Sequence, residues 1–437
     1  MDKIVSLCKR RGFIFQSSEI YGGINACYDY GPMGVELKNN VKAFWWRSMV
    51  YERDDIVGLD SAILMHPEIW EASGHVSSFT DPLVDCRVCK QRFREDDIDP
   101  KKWEKRQCPR CGNSGALTEP RQFNLMFKTY MGPVEEDAAV VYLRPETAQG
   151  IYVNYKNVLD SSRQKIPFGI AQIGKAFRNE ITPGNFTFRT REFEQAEMQY
   201  FVRPGEDEEV FHKWRDERMS WYLRLGIQKE KLRFHQHGPE ELAHYAKGAY
   251  DIEYDYPIGW KELEGIHNRT DFDLSRHQEH SGKDLTYFDD ISRERFLPYI
   301  IETSAGIDRT VLTCLVDGYV EEELEREKRT VLRLDPKIAP FKAAVFPLVN
   351  RDGMPDIARK IASDLRGDFN VFYDESGAVG RRYRRQDEAG TPYCITVDSQ
   401  TLEDDTVTVR DRDSMEQERV AMTGLRQNLN DRIWKRS

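Results

Sequence analysis

Hydrophobic and polar positions divide the chain into three textures and one small insert. A short apolar run, Phe13-Ile14-Phe15, leads through Tyr21-Gly22-Gly23 to a second glycine turn, Tyr30-Gly31-Pro32-Met33-Gly34. Beyond it Val35, Leu37, Val41, Phe44, Trp45 and Met49 recur at helical spacing and predict an amphipathic helix over 35–51. Residues 59–65 read as a strand that Pro67 stops. From about 120 to 317 strand-like pieces dominate, at 140–143, 186–189 and 197–202, beside helical stretches such as 206–225. The charge-laced segment EEELEREKRTV, 321–331, predicts a solvated connecting helix. After Asp335-Pro336 the pattern alternates: strands at 343–348, 369–373, 393–397 and 406–410, a helix at 355–365, hence a small α/β unit. No internal repeat or low-complexity tract is visible.

Composition narrows the class. The 437 residues carry 64 Lys and Arg against 74 Asp and Glu, a formal charge of −10. Twenty-two Phe, 20 Tyr and 8 Trp exclude a disordered or collagenous chain. The longest apolar runs, such as 343–349, are strand-length, far below a membrane span of roughly 18 residues. The opening Met-Asp-Lys-Ile-Val lacks the apolar core of a signal peptide, so a cytoplasmic location is expected. Net acidity argues against a uniformly basic nucleic-acid surface, yet leaves room for local basic grooves. The stretch from 335 onward is near neutral and holds the densest basic run, Gly380-Arg381-Arg382-Tyr383-Arg384-Arg385, whose plain alternative is a solvated face.

Eight cysteines form two populations. Cys8, Cys27, Cys314 and Cys394 stand alone and read as small buried hydrophobes. Cys86-Arg-Val-Cys89 and Cys108-Pro-Arg-Cys111 are two C-x-x-C pairs with 18 residues between them, a zinc-knuckle spacing. Four thiolates close a tetrahedral site, so the zinc is read as structural, against chance core cysteines or an occasional disulfide.

Chemistry concentrates in four polar segments: 144–150 (RPETAQG), 177–197, 261–265 (KELEG) and 301–309 (IETSAGIDR). Arginines and carboxylates at this density suit a phosphate chain, a magnesium ion and an ammonium group. Structural ion pairs are the plain alternative. No Walker loop, H-E-x-x-H or G-x-S-x-G motif is present. His66, His75, His212, His267 and the pair His235/His237 read as packing or hydrogen-bonding residues.

Phe177-Arg178-Asn179-Glu180 with Phe188-Arg189-Thr190-Arg191-Glu192-Phe193 resembles the second signature of class II aminoacyl-tRNA synthetases. Gly306-Ile307-Asp308-Arg309 resembles the third, and the helix and run before Pro67 the first. YGPMGVELKNN, WEASGH, RPETAQGIY, TPGNFTFRTREFEQAEM and IIETSAGIDRT are together similar to the homodimeric, bacterial-type glycyl-tRNA synthetases, over about residues 4–425. Asp308 departs from the Glu or Gly of many class members, a departure shared with bacterial glycyl enzymes.

The resemblance implies an α+β fold. An antiparallel-sheet catalytic domain would span 1–334, with a zinc insert at 86–111, followed by an α/β anticodon-binding domain at 335–437. It implies a homodimeric glycine–tRNA ligase, not membrane-bound, using ATP and Mg²⁺ and charging tRNA(Gly) by way of glycyl-adenylate. Arg178 and Arg309 would clamp the α- and γ-phosphates, with Glu180 as a third catalytic position and Phe193 stacked on adenine. Asn179, Phe188, Arg189, Thr190, Arg191 and Glu192 would line the nucleotide. Glu262, a Mg²⁺ ligand, with Leu263, Gly306, Ile307 and Asp308 would complete that site. Glu146, Glu197 and Ser304 would hold the glycine ammonium beside Glu302. Phe193, Glu194, Gln195, Ala196, Thr303, Ala305 and Gly306 would line the pocket, and Arg94 would meet the carboxylate. A non-catalytic relative, like the accessory subunit of a mitochondrial DNA polymerase, is disfavoured because Arg178, Glu180 and Arg309 are all present. A histidine, threonine or proline enzyme is disfavoured by the acidic pocket positions.

Overall fold

The glycine turn at 30–34 launches helix α1, Pro32–Trp46, with proline at its start where a missing N–H costs nothing. Met33, Leu37, Val41 and Trp45 form its buried stripe, and Lys38 is buried among them. Gly34 has no alternative: a Cβ there would sit 1.8 Å from the Phe13 carbonyl oxygen. The helical run continues to Tyr51, but its last five residues, Arg47–Tyr51, wind as a π-turn. The computed structural model describes residues 1–133, 135–136, 139–243, 245–323 and 328–434.

Seven strands make the central sheet: β1 Ile56–Gly58, β2 Phe168–Phe177, β3 Glu192–Val202, β4 Leu232–Gln236, β5 Gly248–Tyr256, β6 Gly259–Thr270 and β7 Tyr299–Gly306. Their order is β4-β5-β6-β7-β3-β2-β1, antiparallel except where β1 runs parallel to β2. Strand alternation assigns the two faces. Ala196, Met198 and Tyr200 of β3 and Ile301 of β7 pack against α1, α2 (Asp207–Arg224) and α3 (Ile307–Gly318). Gln195, Glu197, Gln199, Glu302 and Ser304 therefore take the opposite face. The far end of that face is closed by a second core of Ile151, Tyr152, Tyr155, Phe168, Phe201 and Leu274. The cysteine insert is a separate lobe: a three-stranded sheet (Thr80–Asp85, Arg92–Arg94, Arg121–Asn124) with its own core of Val84, Ile98, Ala116 and Leu117.

Three expectations change. Residues 59–65 form no ladder beyond an isolated Leu64–Leu143 bridge. The Ser61 N–H goes to Gln172 Oε1 and its carbonyl to Arg144, so side chains replace a strand partner there. The 186–189 strand is a 3₁₀ turn, Phe186–Phe188, because Asn185 and Phe186 both adopt positive φ. The 321–331 helix is a hairpin, β8 Tyr319–Glu323 and β9 Lys328–Leu332, with 324–327 outside the described residues. Burial decides this: Arg329, Val331 and Leu332 turn inward, which a solvated helix would not allow.

The last sheet has the order β11-β10-β12-β13-β14, with β10 Ala343–Pro347, β11 Val371–Tyr373, β12 Tyr393–Val397, β13 Thr406–Asp411 and β14 Gln417–Ala421. Helices α4 (Met354–Leu365), α5 (Val379–Ala389) and α6 (Leu425–Trp434) accompany it, and α4 and α6 help fill its own core. The basic run lies on α5 and is not a free face: Arg382 is buried, capping the carbonyls of Pro347 and Asp374.

Candidate active site

Register brings the polar residues into rows. Glu197 on β3 faces Ser304 on β7, which faces Gly265 on β6, which faces Asp251 on β5. The next row is Gln199, Glu302 and His267. These rows floor a cleft of about 410 Å³. Glu146 enters just before the helix Ala148–Val153, and the insert contributes Asp81 and Arg94.

Two arginines are pre-aimed. Arg178, just past β2, lies with its guanidinium 5.3 Å from the rings of both Phe79 and Phe193, and Nε donates to Pro145 O at 3.0 Å. Arg309, in the first turn of α3, sits 4.5 Å over Phe188 and pairs with Glu262 Oε1 at 3.1 Å. Guanidinium groups fixed by aromatic faces are ready to receive phosphate oxygens without further ordering.

The same cleft holds a carboxylate cage. Glu197 accepts from Thr147 Oγ1 at 2.6 Å, Ser304 Oγ at 2.7 Å and Gln195 Nε2 at 2.9 Å. Burial, then the charges of Glu302 and Glu146, push its carboxyl up to about 8. A small cation bound beside Glu197 would offset the charges of Glu302 and Glu146 that add to the effect of burial. Burial alone would also raise Glu146 and Glu302. His75, 3.4 Å from Glu146, and then Arg269 hold Glu146 below the usual range. Arg269 and His267, each 3.0 Å from Glu302, do the same there.

Of the sequence-predicted residues, Arg94, Glu146, Arg178, Glu180, Phe188, Arg189, Thr190, Phe193, Gln195, Glu197, Glu262, Glu302, Ser304, Gly306 and Arg309 line the cleft. Glu194 and Asp308 also reach its lining, but their carboxylates turn to Lys38, with Lys42 and Tyr30 adding to the set. The structure does not bring Ala196, Thr303, Ala305, Leu263 or Ile307 to the lining, because alternation or core packing buries these residues elsewhere. Asn179, Arg191 and Glu192 stand outside it as well: Arg191 holds the carbonyls of Asn25 and Glu180, and Glu192 pairs with Lys175. Sequence reasoning did not single out Arg269, Tyr245 or Asp251, and it read His237 as a packing or hydrogen-bonding residue, whereas all four line the cleft. Arg269 had one readable signal, the i,i+4 pairing with Asp273, whose oxygens it meets at 2.8 and 3.0 Å.

Residues 108–319 match the model of the class II tRNA synthetase core domain (G, H, P, S and T), and 342–432 that of the anticodon-binding domain. The chain is 61% identical to the glycine–tRNA ligase of Treponema denticola, covering 97% of this chain and 95% of that protein. The corresponding figures are 56%, 99% and 98% for the ligase of Thermobifida fusca, and 57%, 97% and 96% for that of Borreliella burgdorferi. The chain belongs to the glycine–tRNA ligase family.

In this family member the four knuckle sulfurs lie within 4.8 Å of one another, with Cys86–Cys111 at 3.7 Å and Cys89–Cys108 at 3.6 Å. A tetrahedral ion with about 2.3 Å metal–sulfur bonds needs sulfurs about 3.8 Å apart, so the cluster fits zinc. Backbone N–H groups of Cys89 and Cys111 point at the sulfurs of Cys86 and Cys108, at 3.5 and 3.4 Å, as anionic ligands would require.

Asp308 anchors one wall of the cleft. It accepts from Tyr30 Oη at 2.6 Å, Lys38 Nζ at 2.8 Å and the Glu194 N–H at 2.6 Å. Asp308→Ala would leave the buried Lys38 ammonium with Glu194 alone and should cost about 3 kcal/mol of stability. Urea unfolding checks this; a loss below about 1 kcal/mol would contradict it.

Proposed function

We propose that the chain activates glycine with ATP to glycyl-adenylate, releasing pyrophosphate, and then transfers the glycyl group to the terminal ribose of tRNA(Gly). One observation carries the reading: a cage of Glu146, Glu197, Glu302 and Ser304 lies in the same cleft as Arg178 and Arg309. The glycine carboxylate attacks the α-phosphorus, and pyrophosphate leaves. Arg178 neutralises charge gathering at the α-phosphate, Arg309 holds the far phosphate, and Phe193 stacks on adenine. Charge-matched, pre-positioned donors supply most of the acceleration in such a reaction. In the second half a terminal ribose hydroxyl attacks the glycyl carbonyl and AMP leaves.

Glycine offers no side chain to grip, so the pocket selects by exclusion. Glu197 and Ser304 occupy the space that a Cβ would need, while the cage carboxylates hold the ammonium. Arg94, pairing with Asp81 at 3.2 Å, would meet the substrate carboxylate. Glu262, half exposed and held below its ordinary pKa chiefly by Arg309, suits a magnesium ligand. Magnesium there would offset the charge of the phosphate chain. The division at about residue 335 separates this catalytic part from the tRNA-reading part, whose phosphate contacts are salt-sensitive. Among the described residues no helix is long and apolar enough to cross a membrane, and we take the working compartment to be the cytoplasm.

Pyrophosphate exchange across amino acids is the decisive test: exchange with glycine and none with alanine, histidine, threonine or proline is expected. Arg178→Ala or Arg309→Ala should lower it by about 10²–10³. Ser304→Gly should relax exclusion of alanine, and Glu146→Gln should weaken glycine with less change in the alanine-to-glycine ratio. Glycine activation by Glu146→Gln equal to the parent's would remove Glu146 from the ammonium site.

Zinc content is a second prediction. Reduced, purified protein should hold one zinc per chain. Cys86→Ser or Cys108→Ser should lose it and lower the insert's melting temperature. Because Arg94 and Asp81 ride on that lobe's strands, the glycine KM should rise too. Metal-free yet fully folded wild-type protein would refute a structural ion.

The ligase is proposed to be a homodimer. Leu64, Tyr130 and Met131 expose apolar side chains on neighbouring segments beside the 59–65 run. Sedimentation at micromolar concentration should give twice the chain mass; a stable, fully active monomer would count against pairing.

A further inference from the structure

The connector between the two sheets is gripped from both sides, which a passive linker does not need. Asn40 on α1 donates Nδ2 to the carbonyls of Ile338 and Ala339, at 3.1 and 3.0 Å. From the other side the buried Lys342 donates Nζ to the carbonyls of Pro336, Lys337 and Ala339, at 3.0, 2.7 and 2.9 Å.

Beside the connector a buried ion cluster joins hairpin β8–β9 to helix α5. Arg329 of β9, with no exposed side-chain surface, donates to Asp387 Oδ2 at 2.9 Å and Glu322 Oε2 at 2.8 Å, and also reaches the Arg412 carbonyl. Asp387, also fully buried, takes Arg410 at 2.9 and 3.3 Å and Arg384 at 3.3 Å. Arg412 in turn holds the carbonyls of Leu334 and Gly390, both at 2.9 Å.

Buried ion clusters are weak devices for stability, since well-packed apolar groups do as well. Charge-assisted bonds with fixed directions instead define an angle. Helix α1 extends that definition to the chemistry: Asn40 holds the connector, while Lys38 and Lys42 of the same helix hold Asp308 and Glu194 at the cleft.

We propose that Asn40, Arg329 and Asp387 are positioning residues for tRNA charging. They fix the 342–432 unit at one angle to the cleft, so that a tRNA bound by that unit presents its terminal ribose to the adenylate. The inference rests on the ligase reading above. Glycine activation needs no such angle. Charging does: if loosening leaves a tenth of molecules competent, the apparent KM for tRNA rises about tenfold.

The test uses the full chain with Arg329→Met, Asp387→Asn and Asn40→Asp. Three rates are compared: glycine-dependent pyrophosphate exchange, charging of full-length tRNA(Gly), and charging of an acceptor-stem minihelix that cannot reach the 342–432 unit. Exchange and minihelix charging should stay within about twofold of the parent while KM for full tRNA rises roughly tenfold. Arg329→Lys should recover part of the loss, and distances between spin labels on the two units should broaden in the Met and Asn variants. Unchanged tRNA charging, or an equal fall in all three rates, overturns the proposal. Should a buried variant fail to fold, Asn40→Asp, at a half-buried site, carries the test alone. A parent protein without glycine exchange would refute the ligase reading instead, and the label distances would then judge the positioning role by themselves.

Discussion

The central strand Glu192–Val202 carries Glu194 and Glu197 into the interior, and its neighbours add Glu302 and Asp308, none more than 8% exposed. Carboxylates removed from water must be matched by cations or donors, or they take up protons. The surrounding architecture supplies those matches from far along the chain. Lys38 comes from α1, Thr147 from the start of a helix, Arg269 from the end of β6, and His75 from the edge of the insert. At Glu197 burial and the neighbouring charges of Glu302 and Glu146 outweigh three donated hydrogen bonds, and its carboxyl is pushed up.

Under the proposed reading, this constraint explains why selection for the smallest amino acid would sit on a sheet and not on a loop. Antiparallel register sets Glu197 directly opposite Ser304, and Gly265 on the next strand makes room for the His267 ring, whose Cε1 lies 2.7 Å from where a Cβ would stand. A strand ladder holds such spacing to within fractions of an ångström, and exclusion by bulk demands that precision. The two arginines, by contrast, stand at element ends, Arg178 just past β2 and Arg309 at the start of α3, which suits the hold on a phosphate chain proposed for them.

The two attached lobes act on the cleft by different routes. The cysteine lobe is a small core that four sulfurs can staple, and it delivers Asp81 and Arg94 as part of the wall. The C-terminal sheet contributes nothing to the cleft lining. Its influence passes through backbone carbonyls of the connector and through Asp387, so its contribution is geometric.

The sequence by itself determined the α/β texture after 335, the helix α1, the cysteine cluster and most of the cleft residues. The first three are written in local spacing, as 3.6-residue periodicity, C-x-x-C pairs or alternating strands, whereas the cleft residues were legible through the resemblance of their runs to the synthetase signatures. Even the separation of Glu197 and Ser304 from Ala196, Ala305 and Thr303 is implicit in that alternation. Only the tertiary structure decided the rest. EEELEREKRTV has the composition of a solvated helix, and it became a hairpin because Arg329 found Asp387, 58 residues later in the chain. Residues 59–65 have strand composition, yet Arg144 and Gln172 took their backbone groups. His267 and Arg269 carry no motif and His75 only closes the WEASGH run, and all three stand at the cleft as partners of the buried Glu146 and Glu302. Local pattern fixes what a segment prefers, and the matching of buried charge and backbone groups over long sequence distances fixes what it does.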